Sequence, residues 1–158
     1  MSGPDLSIRR YRREDQDAVL RLHNEALGSI PGAHAGDGPW DRDLERIEDE
    51  YFAGGGEFLV GVLSGEVVAM GALRRTGERT AEVCRMRVRP ALWRRGYGQA
   101  ILSALEERAF EIGCRLVHLD TTVELEAAQS LYRKNGYRET RRAVVSGREF
   151  IFFEKELV

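Results

Sequence analysis

The segment from Val88 to Leu102, VRPALWRRGYGQAIL, gathers the residue types best suited to holding a phosphate. Val88 closes an alternating run and Pro90 cannot donate to a strand ladder, so the chain leaves a strand here. It turns through Arg94, Arg95, Gly96, Tyr97 and Gly98, then enters a helix marked by Ala100, Ile101, Leu105 and Ala109. A turn of this kind aims the backbone N–H groups from Arg94 to Gln99, and the positive end of a helix dipole, at one point. The two glycines let a ligand approach the backbone closely. A phosphate or pyrophosphate suits that arrangement. A dinucleotide fingerprint would need a third glycine where Ile101 stands, and a P-loop needs a Gly-Lys-Ser/Thr that is missing. Arg85, Arg87, Arg89, Arg94 and Arg95 cluster around this turn, as a polyphosphate would require. A solvated charged face is an equal reading of them, because arginine outnumbers lysine heavily along the whole chain.

Other residues with chemical potential are scattered. Cys84 lies in a strand with no histidine near it in sequence and reads as a small buried hydrophobe rather than a nucleophile. His118 and Asp120 alternate with Val117 and Leu119; a structural role and a reach toward a cleft both remain open. His34 stands in a glycine-rich loop. The paired Cys and His spacing of a zinc site is missing, so no metal is expected.

The elements that must position these residues follow from periodicity. Leu6 to Tyr11 alternates as a first strand, and Asp15 is placed to cap a helix through about Leu27 with Ala18, Val19, Leu22 and Ala26 on one face. A long loop rich in glycine and proline runs from Gly28 to Trp40. Pro39, Asp41 and Asp43 favour a second helix with Leu44, Ile47, Tyr51 and Phe52 as its buried stripe, stopped at Gly54–Gly56. Strands at Phe58–Leu63 and Val67–Leu73 are joined by Ser64-Gly65, a tight hairpin signal. A third runs from Arg79 to Arg89, with Glu82, Cys84, Met86 and Val88 sharing one face by the period of two. After the phosphate turn and its helix come a strand at Leu116–Thr121, paired in parallel through the crossover, and a helix at Glu124–Asn135 closed by Gly136. Tyr137–Val145 and Arg148–Glu156 form a terminal hairpin turning at Ser146-Gly147.

With 158 residues the chain reads as one α/β domain over 1–158, and its 42% hydrophobic and 32% charged content is that of a globular protein. A net charge of −2 argues against a general nucleic-acid partner, and no apolar run approaches membrane-spanning length. The first residues have no apolar core of a secretory signal, and Cys84 and Cys114 read as reduced core thiols, so a cytoplasmic location is expected.

Three segments, in order, resemble the Gcn5-related N-acetyltransferase (GNAT) family. The turn at Arg94–Gly98 is similar to its CoA pyrophosphate loop, Gln/Arg-x-x-Gly-x-Gly/Ala, with Trp93 at the Gln/Arg position. AEVCRMRVRP is similar to its fourth strand. AAQSLYRKNGY matches its Asn-x-x-Ala-x-x-Leu-Tyr-x-Lys-x-Gly-Phe at Ala128, Leu131, Tyr132, Lys134 and Gly136, with Leu125 where the family often has Asn. The predicted order β-α-α-β-β-β-α-β-α-β-β is also that of the family, which implies a mixed β-sheet with helices on both faces.

The resemblance implies an acetyl-CoA-dependent N-acetyltransferase in which a primary amine of a small molecule or peptide attacks the thioester directly in a ternary complex. It implies that Arg94, Arg95, Gly96, Tyr97, Gly98, Gln99 and Ala128 surround the cofactor, and that the amides of Met86, Arg87 and Val88 pair with pantetheine and polarise the carbonyl. Tyr132 matches the tyrosine that protonates the leaving thiolate, and Glu82 is the candidate base for the acceptor ammonium. The alternative is a non-catalytic acyl-CoA-binding or sensing domain, against which the retention of Glu82 and Tyr132 argues. Family members acetylate antibiotics, polyamines, amino acids and protein termini, and fold alone does not choose among them. Homodimers are common in the family, so the resemblance also admits a homodimer.

Overall fold

The computed structural model describes residues 6–29 and 39–158; His34 and most of the Gly28–Trp40 loop lie outside them. Seven strands make one sheet: β1 (Ser7–Arg10), β2 (Glu57–Leu63), β3 (Glu66–Arg75), β4 (Thr80–Val88), β5 (Leu116–Thr122), β6 (Arg138–Val145) and β7 (Arg148–Glu156). Their order is β1-β2-β3-β4-β5-β7-β6. Every pairing is antiparallel except β4 with β5, and there the register is short: Thr80, Ala81 and Glu82 face Leu116, Val117 and His118. Beyond Glu82 the two strands part.

Three α-helices pack on the sheet: α1 (Gln16–Gly28), α2 (Tyr97–Glu111) and α3 (Glu126–Lys134). Under α2 and α3 lies one core, built from Ala81, Val83, Ile101, Leu105, Leu119 and Phe153 among others. Under α1 and the 39–52 segment lies a second, with Val19, Leu22, Leu44, Ile47, Tyr51 and Phe58. The two faces follow from strand alternation, with Val117 and Leu119 turned to the first core and His118 and Asp120 to the opposite face.

Both predicted hairpin turns take left-handed backbone at both central residues, Ser64 (φ 50°) with Gly65 (φ 81°) and Ser146 (φ 51°) with Gly147 (φ 78°). This is the primed geometry that matches strand twist. The 39–52 segment differs from expectation. It buries Leu44, Ile47 and Tyr51 as predicted, leaving Phe52 half-buried, but as a 3-10 stretch (Pro39–Glu45) and one π-turn (Glu48–Phe52), not an α-helix. The wider π-turn brings Tyr51 beneath the sheet while the chain runs directly into Gly54–Gly56. Asp15 occupies the N-cap of α1, yet its side chain does not cap the helix. It accepts two bonds from Arg9 (2.7 and 2.9 Å) and one from the Arg12 amide, because a guanidinium fork satisfies a nearly buried carboxylate better than one amide.

A second correction concerns β4. Arg85 adopts φ 57°, and the pairing with β3 slips there, with Arg87 opposite Met70 but Cys84 opposite Ala72. This is a β-bulge, which adds one residue and inverts the alternation beyond it. Glu82 and Cys84 therefore face the α1 side, while Met86 and Val88 pack against the α2 core with Ala81 and Val83. The four do not share a face. A Cβ on Gly71, opposite the bulge, would come within 2.9 Å of Met86 Sδ and 2.5 Å of Ile101 Cγ2, so the bulge, Gly71 and α2 fit only with glycine there.

Candidate active site

The parting of β4 and β5 opens a cleft of about 1110 Å³ running from the root of the wedge, at Glu82 and Asp120, to the start of α2. Among the described residues the edge of β4 toward β5 has no strand partner from Val83 to Val88, so its backbone groups line one wall. The far end is the turn before α2. Arg94 (φ 68°) and Gly96 (φ 86°) both take left-handed backbone, and no side chain caps the helix. Among the described residues no hydrogen bond reaches the amides from Arg94 to Gln99; the first helical bond is Ala100 N–H to the Gly96 carbonyl, 3.0 Å. These donors, at the positive end of a helix of 15 residues, face a cleft edged by Arg94, Gly96, Gly98 and Gln99. A Cβ on Gly98 would touch only Leu131 and Val88, each at 3.8 Å, so the position is open to the cleft.

Met86, Arg87, Val88, Tyr97 and Ala128 also line the cleft; Arg95 is exposed and does not. The Gln99 side chain is committed elsewhere, in a reciprocal amide pair with Asn135 (2.7 and 2.8 Å) that ties the start of α2 to the end of α3. Its main-chain amide is what it has to offer a ligand. Trp93 donates its indole N–H to the Val88 carbonyl at 2.7 Å and so clamps the turn to the end of β4.

Tyr132 lines the cleft from α3, 6% exposed, its ring edge-on to Tyr137 and tilted against Phe153. Among the described residues its hydroxyl makes no hydrogen bond. Burial pushes its phenol up to about 12, so it carries its proton throughout the neutral range. Glu82 stands at the root with Arg74 3.5 Å away. Behind them lies a network absent from the sequence reading. Arg74 donates to the Tyr51 hydroxyl (3.3 Å), Tyr51 donates to Asp43, and Arg85 forks onto Asp43 at 2.6 and 2.9 Å. Burial pushes the Asp43 carboxyl up, but hydrogen bonds from Arg85 and Tyr51 outweigh it and hold it below the usual range. A helical period flags Tyr51 as core and carries no information about where its hydroxyl points.

Cys84 sits in this layer, 3.9 Å from the Tyr51 hydroxyl, and burial together with the Glu82 charge pushes its thiol up to about 12. A protonated thiol is a poor nucleophile. His118 bonds Thr76 Oγ1 at 2.9 Å and does not line the cleft, whereas Asp120 does. Among the described residues no cluster of His, Cys, Asp or Glu is arranged to hold a metal, and no helix is long and apolar enough to cross a membrane.

A mixed sheet opened between its one parallel strand pair, with an uncapped helix N-terminus at the mouth, defines the class. The family model for GNAT acetyltransferases matches residues 17–137, and the chain belongs to that family. An acetyltransferase of the GNAT family from Staphylococcus aureus Mu50 has the same fold, with a TM-score of 0.87 at 20% identity over 98% of this chain and 100% of that one. So does yncA of Salmonella typhimurium, solved with its cofactor acetyl-CoA, with a TM-score of 0.81 at 21% identity over 98% of this chain and 95% of that one. In sequence, the chain is 39% identical over 93 residues to a mycothiol acetyltransferase of Amycolatopsis mediterranei (strain U-32). That stretch is 58% of this chain but spans only 29% of the length of the relative.

Proposed function

We propose that this protein is an acetyl-CoA-dependent N-acetyltransferase acting on a primary amine of a small molecule or peptide by direct attack within a ternary complex. The observation that carries this reading is the continuity of the cleft. Among the described residues six unpartnered amides, from Arg94 to Gln99, border one end, and a carboxylate, Glu82, and a protonated phenol, Tyr132, line the same cleft. The amides and the α2 dipole hold the pyrophosphate, and the partnerless edge of β4 at Met86–Val88 guides the pantetheine arm and polarises the thioester carbonyl. Glu82 receives the acceptor ammonium, and Tyr132 gives its proton to the departing thiolate. Acetyl-CoA supplies the activated acyl group; the chain itself orients the reactants and moves protons. Two free thiols, Cys84 and Cys114, suit a reducing cytoplasm.

The test has two arms. Calorimetry with CoA measures binding, and free-thiol release from acetyl-CoA is followed with L-lysine, spermidine, kanamycin and a peptide with a free alanine N-terminus. Saturable CoA binding with amine-dependent thiol release supports the reading. Binding without thiol release from any of the four favours an acyl-CoA-binding domain, and no binding overturns the site.

A further inference from the structure

The wedge holds a second carboxylate that the family motif does not point to. Asp120 is two residues beyond His118, the residue of β5 in register with Glu82, and it lies on the same side of the sheet as Glu82. Since β4 and β5 part directly after that register, the two carboxylates stand on opposite lips of the root of the cleft, and both line it. Their surroundings differ. Glu82 has Arg74 at 3.5 Å, an ion pair that ties its carboxylate in place. Asp120 makes no ion pair and no hydrogen bond among the described residues, and it is open to solvent.

We propose that Asp120 takes the proton from the acceptor ammonium, while Glu82, fixed by Arg74, holds that ammonium in place. The proposal rests on the acetyl-transfer reading above. The N–H bond of the ammonium breaks and an O–H bond forms on Asp120; the freed lone pair attacks the thioester carbonyl. As the C–S bond breaks, its electron pair goes to sulfur, which takes the Tyr132 proton. The second nitrogen proton restores the phenol through solvent, Asp120 returns its proton to bulk water, and the net release is one proton.

The groups facing Asp120 act in both directions. The walls of the cleft strip part of its hydration and the Glu82 charge opposes a second one nearby, both raising its carboxyl above the usual range. His118 on its own strand and Arg141 on β6 pull it down. The Arg141 guanidinium lies 3.8 Å over the Phe152 ring, opposite Asp120 in register, rather than on the carboxylate. The raised direction prevails. A base with a raised pKa beside an ion-paired carboxylate is a division of labour that one glutamate alone does not provide.

The experiment uses the full chain and whichever of the four amines above turns over fastest. Asp120→Asn should lower kcat roughly a hundredfold near neutral pH and abolish the acidic limb of the rate profile, with acceptor KM changed only a few-fold. Glu82→Gln should raise acceptor KM while an acidic limb persists. CoA affinity and melting midpoint of both variants should match the wild type, since neither residue touches the core or the phosphate turn. Wild-type kcat and an intact acidic limb in Asp120→Asn, with the limb lost in Glu82→Gln, would return the proton to Glu82 and overturn the proposal. No turnover of any amine by the wild type would sink the acetyl-transfer reading itself, and this proposal with it.

Discussion

Glu82 and Met86 are four residues apart on one strand, yet their side chains lie on opposite faces of the sheet. Glu82 meets Arg74 on the α1 side, and Met86 packs under α2. The inversion comes from Arg85, whose left-handed backbone (φ 57°) costs on the order of 1–3 kcal/mol and persists because its guanidinium is tied to the half-buried Asp43. Pairing of β4 with β5 has already ended at Glu82, three residues before the bulge. One strained residue thus puts Glu82 and Met86, both lining the cleft, on opposite sides of the β4 wall.

The phosphate turn is tested at Gly98. Gly98→Ala meets only 3.8 Å contacts and should fold normally, with acetyl-CoA affinity weakened a few-fold by the added methyl. Gly98→Glu brings a negative charge to the same amides and should weaken binding by about two orders of magnitude, easing partly with added salt. Calorimetry on the folded variants gives both values. Equal affinity in all three proteins would place the cofactor elsewhere.

Tyr132→Phe keeps the packing of the ring on Tyr137 and Phe153, so the melting midpoint and CoA affinity should hold. Turnover should fall roughly a hundredfold. Because the wild-type phenol is pushed up to about 12, its own loss of a proton produces no alkaline limb below that range. A pH–rate profile with a limb near neutrality that vanishes in Tyr132→Phe would contradict this.

Gly56→Ala should be the costliest small change outside the site. Its Cβ would lie 2.0 Å from the Leu73 carbonyl oxygen, which belongs to the β-ladder and cannot yield, so a loss of about 3 kcal/mol or more is expected. Gly65→Ala is the control, with nothing within 4 Å and only its φ of 81° to strain, for about 1–2 kcal/mol. Urea unfolding of the two variants should rank them in that order.

Stability should fall in acid through Asp15 and Asp43. The hydrogen bond from Arg9 holds the Asp15 carboxyl below its ordinary value of 3.8, and Asp43 is lowered despite its burial. A lowered native pKa contributes stability that is fully present above the unfolded value and is lost as pH falls through the native one. Urea midpoints of the wild type should therefore decline from roughly pH 5 downward. Asp43→Asn removes the carboxylate that Arg85 and Tyr51 both hydrogen-bond, so it should cost about 1.5–3 kcal/mol near neutrality and flatten the acidic decline. A variant that keeps the full wild-type slope would remove Asp43 from this account.

Local chemistry made much of the protein readable from its residues. Ser64-Gly65 and Ser146-Gly147 specify their turns through backbone conformation, and apolar periods place Val19, Leu22, Ile101 and Leu105 inward. Arg94 to Gly98 announce an amide-rich helix start because glycine and helix geometry suffice to create one. The bulge at Arg85 was not readable. Strand alternation is a rule about neighbours in sequence, whereas the slip depends on Asp43 reaching Arg85 from 42 residues away and on Gly71 making room beneath α2. For the same reason the Tyr51–Arg74 layer, the indole clamp of Trp93 on Val88 and the approach of Asp120 to Glu82 belong to tertiary structure alone. Each joins groups whose residue types are unremarkable and whose meaning comes from distance. The sequence by itself determined the strand and helix order and the amide-rich start of α2; packing decided which face of the sheet each acid looks out from.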